Sequence, residues 1–306
     1  MDGRVTRRSA LGRIAALGLP CLILAGGCAG RTDLEPTSWL SWREERFNEV
    51  AGPNGWAALA GLHWLNSGAS SIGTDPSCDI RLPEGTAPPR VGTVTRDGDS
   101  VVFEAEPRAG VTLKGAPVDR LVLKSDVGGS QDILHAGRLR FWLIARGDRR
   151  AIRVRDPESP VRRAIREIPV FGYSEAYRVR ARFEPYDPPR TLTIADVTGG
   201  SSEEICPGAF VFELGGRLLR LDALEDADAG DLFVIFRDLT SGRQTYGGGR
   251  FLHVQRPRPG ESIDLDFNRA YNPPCAFTAF ATCPVPPRQN WLPVAVPAGE
   301  RHKDNH

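Results

Sequence analysis

"GAFVFELGGRLLRLDAL", Gly208 to Leu224, is the stretch that decides the fold. Its apolar residues alternate or run on either side of Gly215-Gly216. Alternation with a period of two sends successive side chains to opposite faces of a strand. Adjacent glycines accept the positive φ that a two-residue hairpin turn demands. "ELGGRL", Glu213 to Leu218, is therefore a hairpin turn between two antiparallel strands. The neighbouring segments repeat the pattern: "TLTIADVTG" before it, "DLFVIFRDLTSGRQTYGGGRFLHV" and "SIDLDF" after it. Gly, Asp and Pro turns separate them, and "LTSGRQ" makes a further turn. No crossover helix lies between these strands, which excludes a parallel α/β sheet and predicts antiparallel sheets.

The same pattern extends toward the N-terminus. "FWLIARGDRRAIRVRD", Phe141 to Asp156, predicts a hairpin turning near Gly147-Asp148. In "YRVRARF", Tyr177 to Phe183, Arg178, Arg180 and Arg182 share one strand face, and Val179, Ala181 and Phe183 share the other. Such an arginine stripe is expected to be solvated or paired with acids. With 33 Gly and 25 Pro, the whole chain favours short strands and turns over long helices. Hydrophobic residues make up 41%, enough to bury a core, and the net charge of +1 argues against a nucleic-acid binder.

The first 30 residues carry a different signal. Arg4, Arg7, Arg8 and Arg13 form a basic leader, and an apolar run from Ile14 to Leu24 follows. That run is too short to span roughly 30 Å of hydrocarbon. A charged leader, a short apolar core and small residues before a cut site describe a secretory signal. "TRRSALG", Thr6 to Gly12, resembles a twin-arginine export motif, with Ala10 where Phe is commoner. "LAGGC", Leu24 to Cys28, resembles a lipobox, with Cys28 as the lipidated first residue. The expectation is an exported lipoprotein of the bacterial cell envelope, held to the membrane through a lipid on Cys28. No other segment is apolar enough to cross a bilayer.

Cys78, Cys206, Cys275 and Cys283 remain, in spacings that match no zinc pattern. Disulfides persist outside the cytoplasm, and Cys275 and Cys283 are near enough in sequence to bridge. The four cysteines allow three complete pairings, among which spacing does not choose.

"TSWLSWREERFNEV" predicts an amphipathic helix, with Ser41 and Glu44 in capping-box spacing and Trp39, Trp42 and Phe47 as anchors. "GWAALAGLHWLNSG" follows, with Trp56, Leu59, Leu62, Trp64 and Leu65 as candidate core and His63 as a structural histidine. "SIGTDPSCDIRLP" (Ser71 to Pro83), "GVTLKGAPV" (Gly110 to Val118) and "LHAGRLRFWLI" (Leu134 to Ile144) together resemble the forkhead-associated (FHA) β-sandwich. FHA modules bind phosphothreonine with an Arg after the Ile-Gly pair and a Ser-Arg-x-His segment. Thr74 and "APPRVG" (Ala87 to Gly92) stand at those positions here. The resemblance therefore implies a sandwich kept as scaffold, without phosphopeptide binding.

"DFNRAYNPPCAFTAFATCPVPPRQNWLPVAVPAGE", with "TYGGGRFL" and "GLHWLNSG", resembles the bacterial and archaeal family called domain of unknown function 1684. The resemblance runs from about Trp42 to Glu300. Its hallmark is present at Asp266-Phe267-Asn268, Tyr271 to Thr278 and Ala281 to Pro284, while Trp291 departs from a frequent Arg. It implies an architecture and a site, and no reaction. The expected organisation is a signal peptide over 1–27, a tether over 28–36 and an N-terminal helix and packing segment over 37–68. An FHA-like sandwich over 69–160 follows. A second antiparallel β domain over 161–300 carries the hallmark loop 266–287, and a tail covers 301–306.

Pro273-Pro274 fixes two φ angles and removes two N–H donors, and Pro284, Pro286 and Pro287 act alike. Asn272 is pushed to extended geometry by the proline after it. A loop this stiff is either a structural plug or a pre-organised site. Asp266, Asn268, Arg269, Tyr271 and Asn272 offer polar groups, and Tyr246 and Arg250 flank the run Gly247-Gly248-Gly249, read as flexible. These seven are the candidate ligand-binding residues, for a small polar or anionic ligand. The alternatives are a hydrolase centred on Cys275 or Asp266, with His253 as base, and a purely structural envelope scaffold. The histidines are scattered, so no metal site is expected, and no motif identifies a cofactor.

Overall fold

The computed structural model describes residues 35–226, 230–258 and 261–302. The signal peptide, Cys28 and most of the tether lie outside the described residues. Helix α1 (Thr37–Ala51) comes first, followed by β1 (Leu59–Trp64), β2 (Gly68–Gly73), β3 (Ile80–Arg81), β4 (Gly92–Asp97) and β5 (Ser100–Ala105). Next are β6 (Thr112–Leu113), β7 (Ala116–Pro117), β8 (Arg120–Val122), β9 (Leu134–Ala136), β10 (Leu139–Arg146) and β11 (Arg149–Arg155). A short α2 (Pro160–Ala164) leads to β12 (Arg178–Ala195), β13 (Ser201–Leu214), β14 (Arg217–Glu225), β15 (Leu232–Phe236), β16 (Arg250–Val254) and β17 (Ser262–Asp266).

α1 exists because its inward stripe is apolar. Trp39 and Val50 are buried, and Phe47 packs beside Ala57, Ile168 and Phe277. The helix starts at Thr37 as expected, but the capping box is not its cap: Pro36 precedes it in extended geometry, and Ser41 and Glu44 lie inside it. Proline fits there because the first N–H groups of a helix have no partner to lose.

Strands up to β11 form two sheets, ordered β3-β2-β4-β5-β8 and β1-β11-β10-β9-β6-β7. Their shared core includes Ile72, Val94, Phe103, Phe141, Ile152 and Val154. β1 pairs with β11, so the sandwich draws on chain ahead of residue 69. The β10–β11 hairpin turns at Gly147-Asp148, with Arg146 opposite Arg149.

The later strands form one antiparallel sheet, β16-β15-β14-β13-β12-β17. Its central hairpin pairs Leu214 with Arg217 across Gly215 and Gly216, whose φ angles of 61° and 71° are those glycine adopts freely. The arginine stripe of β12 is paired: Arg178 and Arg180 both reach Asp264, at 3.0 and 3.3 Å.

Both faces of this sheet are covered by the chain that follows it. One face, with Phe210, Phe212, Val234 and Phe236, packs on Phe267, Leu292, Val296 and Ala298. The other, with Cys206, Leu224 and Ile235, packs on Tyr271, Cys275, Ala281 and Cys283 of the hallmark loop. The same loop reaches the first sandwich. Phe280 joins a cluster with Trp142, Ile144 and Ala151. The Thr282 hydroxyl accepts from Arg146 Nε at 3.1 Å and from the Arg153 guanidinium at 3.2 Å. The hallmark loop is thus wedged between the two β units.

Candidate functional site

Of the seven candidate ligand residues, only Asp266 and Arg269 line one groove together, and the seven do not share a single concavity. Arg250 is fully buried at the start of β16. Its guanidinium donates to Asp238 Oδ2 at 2.8 Å, to the Val296 carbonyl at 2.8 Å and to the Ala298 carbonyl. Burial pushes its pKa down, and Asp238 opposes that. Asn268, also buried, accepts from Ser174 N and donates to Ser174 O and Asp266 Oδ1. Its carbonyl accepts from Trp39 Nε1 at 2.9 Å, which ties α1 to the loop. Asn272 is buried as well. Its backbone N–H donates to Glu300 Oε2 at 2.8 Å and its amide to the Arg301 carbonyl at 3.1 Å. Three of the seven polar groups therefore serve the fold.

Asp266 caps a single 3-10 turn, accepting from Asn268 N at 3.1 Å, and stands 3.7 Å from Arg269. Asp266 and Arg269 line a groove of about 730 Å³ beside the β16 and β17 edges. Arg178, Arg180, Arg256 and Arg258 also line it, against Glu261 and Asp264. Arg256 pairs with Glu225 at 3.2 Å, so most of these cations already have acidic partners in solvent.

Tyr246 turns elsewhere. Its ring meets His302 edge-on at 5.1 Å, and its hydroxyl lies 3.4 Å from the Cys275 carbonyl. The glycine run before Arg250 is packed rather than loose. Gly249 is buried with φ of 95°, and a Cβ there would stand 2.6 Å from the Phe236 carbonyl oxygen. The close approach of two backbones, not flexibility, explains glycine at that position.

Tyr271 opens onto a different cavity of about 370 Å³, between α1 and the second sheet. The phenol is held on both sides: Arg46 lies 4.4 Å above the ring and His253 stacks against it at 5.7 Å and 9°. Phe251 meets Tyr271 edge-on at 5.8 Å, and Phe233 packs against both Phe251 and His253. Burial raises the Tyr271 pKa well above the ordinary phenol range, against the pull of Arg46. Its hydroxyl has no hydrogen-bond partner among the described residues. Trp56 and Pro274 complete the apolar wall.

The rest of the lining is acidic: Glu49, Glu204, Glu225 and Asp226, against Arg46. His253 Nδ1 stands 3.2 Å from Asp226 Oδ2. Arg46 donates to Glu49 at 2.7 Å, to Glu300 at 2.8 Å and to the Asn272 carbonyl at 2.8 Å. Burial is the largest influence on Glu300 and raises its pKa, while the carboxylates beside Arg46 outweigh burial and hold the guanidinium above its ordinary value. Sequence reasoning missed Arg46, Glu204, Asp226 and Glu300. A signal existed for the first: Arg46 falls between Trp39 and Val50 on the buried stripe of α1, where a charge is expensive without a partner.

Cys275 and Cys283 lie in contact, yet no bridge joins them. The four described cysteines are free thiols, so the expected cystine is a thiol pair. The Thr74 hydroxyl donates to the Ala87 carbonyl at 3.4 Å. No described helix is long and apolar enough to cross a membrane, and no three described His, Cys, Asp or Glu side chains group to hold a metal ion.

The chain belongs to the family described as "Protein of unknown function (DUF1684)", whose match covers residues 163–301. That span holds the second sheet, the hallmark loop and most of the Tyr271 cavity. The chain is 33% identical to an uncharacterised protein of Haloarcula marismortui solved by NMR, over 49% of this chain and 85% of that one, with a TM-score of 0.41. It is 21% identical to the FHA domain of FhaA, solved in complex with an intracellular domain, over 31% of this chain and 97% of that one, with a TM-score of 0.23. The N-terminal FHA domain of EssC, a component of the bacterial Type VII secretion apparatus, is 18% identical over 33% of this chain and 47% of its own, with a TM-score of 0.25. No curated protein matches.

Proposed function

We propose that the protein is an exported lipoprotein of the bacterial envelope, anchored through Cys28, that binds a small polar ligand carrying a protonated amine in the Tyr271 cavity. The observation that carries the ligand reading is the Tyr271 hydroxyl. It stands without a partner, on a ring clamped by Arg46 and His253, at a cavity edged by four carboxylates. A half-buried phenol that the fold does not use is available to a ligand. The surrounding carboxylates favour a cation, and the rings of Phe233, Phe251 and Trp56 offer π faces to it. The volume suits a small molecule. Export and anchoring rest on the basic leader and "LAGGC". Cys28→Ala is expected to release the protein from membranes, and a wild type that fractionates as soluble without lipid mass contradicts the anchor.

Calorimetric titration with primary amines and diamines, beside the matching carboxylic acids, tests the ligand class. Amines are expected to bind and acids not. Tyr271→Phe should weaken binding by about 1.5–3 kcal/mol, the magnitude of a hydrogen bond to a charged group. Acid-selective binding, or amine binding indifferent to Tyr271→Phe, contradicts the reading.

The scaffold alternative has one observation in its favour, the wedging of the hallmark loop between both β units. It predicts no saturable small ligand at all.

A further inference from the structure

The hallmark loop places two thiols where each can act on the other. Cys275 leaves Pro273-Pro274 in the 3-10 turn Pro274–Ala276, so its backbone is set by two prolines. Cys283 is pinned from the other side: its carbonyl accepts from Val197 N at 3.0 Å, and the next residue, Pro284, bridges to Asp196. Neither sulfur is free to wander. The Cys275 N–H donates to Cys283 Sγ at 3.1 Å. The Cys283 thiol hydrogen-bonds in turn to the Cys275 sulfur, which also has the Tyr246 hydroxyl beside it. Cys283 is buried and Cys275 half-buried.

We infer that Cys275 and Cys283 are a dithiol–disulfide couple that exchanges with small disulfides, Cys275 being the attacking sulfur and Cys283 the resolving one. The roles follow from exposure, since solvent reaches Cys275 and the loop covers Cys283. Half-burial of the attacking sulfur restricts the partner to a low-molecular-weight disulfide. The Cys275 thiolate attacks one sulfur of RSSR, forming a mixed disulfide and expelling RS⁻. Cys283 gives its proton to solvent and attacks Cys275 Sγ, forming the intramolecular bond and expelling the second RS⁻. Both leaving thiolates take protons from solvent. Two protein thiols are oxidised and one disulfide is reduced to two thiols.

Electrostatics agree with this assignment. The hydrogen bond from Cys283 brings the Cys275 pKa below the ordinary thiol value, against the effect of burial. The same hydrogen bond and burial hold the proton on Cys283, with the nearby Arg153 guanidinium pulling the other way. Cys206 is an internal control: burial pushes it up to about 11. Thiol attack runs through the thiolate, so Cys275 should react at neutral pH and Cys206 should not.

The test uses the full reduced chain with oxidised glutathione. Mass spectrometry of non-reduced peptides should show a Cys275–Cys283 link that reduced glutathione reverses. Cys283→Ser should accumulate a glutathione adduct on Cys275, whereas Cys275→Ser should leave Cys283 unmodified. On the wild type, which needs no refolded variant, iodoacetamide should label Cys275 at least tenfold faster than Cys206 at pH 7. The Cys275 rate should reach half its maximum at a lower pH than the Cys206 rate. Absence of the link under oxidised glutathione overturns the inference, as does a preferred adduct on Cys283 or equal labelling of Cys275 and Cys206. None of these readouts involves the Tyr271 cavity.

Discussion

Neighbouring positions of the hallmark loop use the same kinds of residue in opposite ways. From Asp266 to Asn268 the polar groups are consumed by the fold, and so are the Asn272 backbone N–H and side-chain nitrogen: Asn268 locks to Ser174 and Trp39, and Asn272 to Glu300 and Arg301, while the buried Asn272 Oδ1 is left without a partner among the described residues. At Tyr271 and Cys275 a hydroxyl and a thiol are held in place by neighbours but left open to chemistry. Polar character alone does not mark a site. What separates Asn268 from Tyr271 is whether the protein already satisfies the group, because losing the partner of a buried donor or acceptor costs about 1–3 kcal/mol.

That contrast is easiest to break at the buried ion pairs. Arg250→Ala leaves Asp238 uncompensated, and Arg46→Ala leaves Glu300 so. Each should cost about 3–5 kcal/mol in urea unfolding, the range for losing one partner of a buried pair. A loss below about 1 kcal/mol at Arg250 would mean that its guanidinium is not structural.

The wedge comes next in size. Phe280 is half-buried against Trp142 and Ile144, so Phe280→Ala should cost about 2 kcal/mol, below the range for a fully buried Phe. Because the loop touches both β units, the variant should also raise amide exchange on β10. Exchange that rises in the second sheet alone would mean that the loop does not join the units.

Much of the fold was legible in the sequence. Period-two alternation and the Gly215-Gly216 pair announce the β13–β14 hairpin, and Gly147-Asp148 the β10–β11 hairpin, because turn chemistry is local. The helix over Thr37–Ala51 is legible from its aromatic anchors and starts at Thr37 as expected, while the Ser41–Glu44 spacing is not its cap because both residues lie inside it. The site was less legible. Arg250 looks like a ligand-binding cation beside a glycine run, but its acceptors are the carbonyls of Val296 and Ala298, far away along the chain. Asn268 finds Ser174 across an equally long separation. Such partners come from tertiary packing, and no window of sequence contains them. The surroundings of Tyr271 are legible only in part: the prolines after it fix the backbone, but Arg46 and His253, distant in sequence, hold its ring.

The smallest effect is the most telling. Urea unfolding of Asn268→Ala and Tyr271→Phe, measured side by side, tests whether satisfied and open polar groups in one loop differ as described. Asn268→Ala removes an amide that bonds Ser174 and Asp266, and should cost about 1–3 kcal/mol. Tyr271→Phe removes a hydroxyl without a partner among the described residues, and should stay within about 0.5 kcal/mol of wild type. Equal losses at the two positions would contradict the account, since the Tyr271 hydroxyl would then belong to the fold rather than to a ligand.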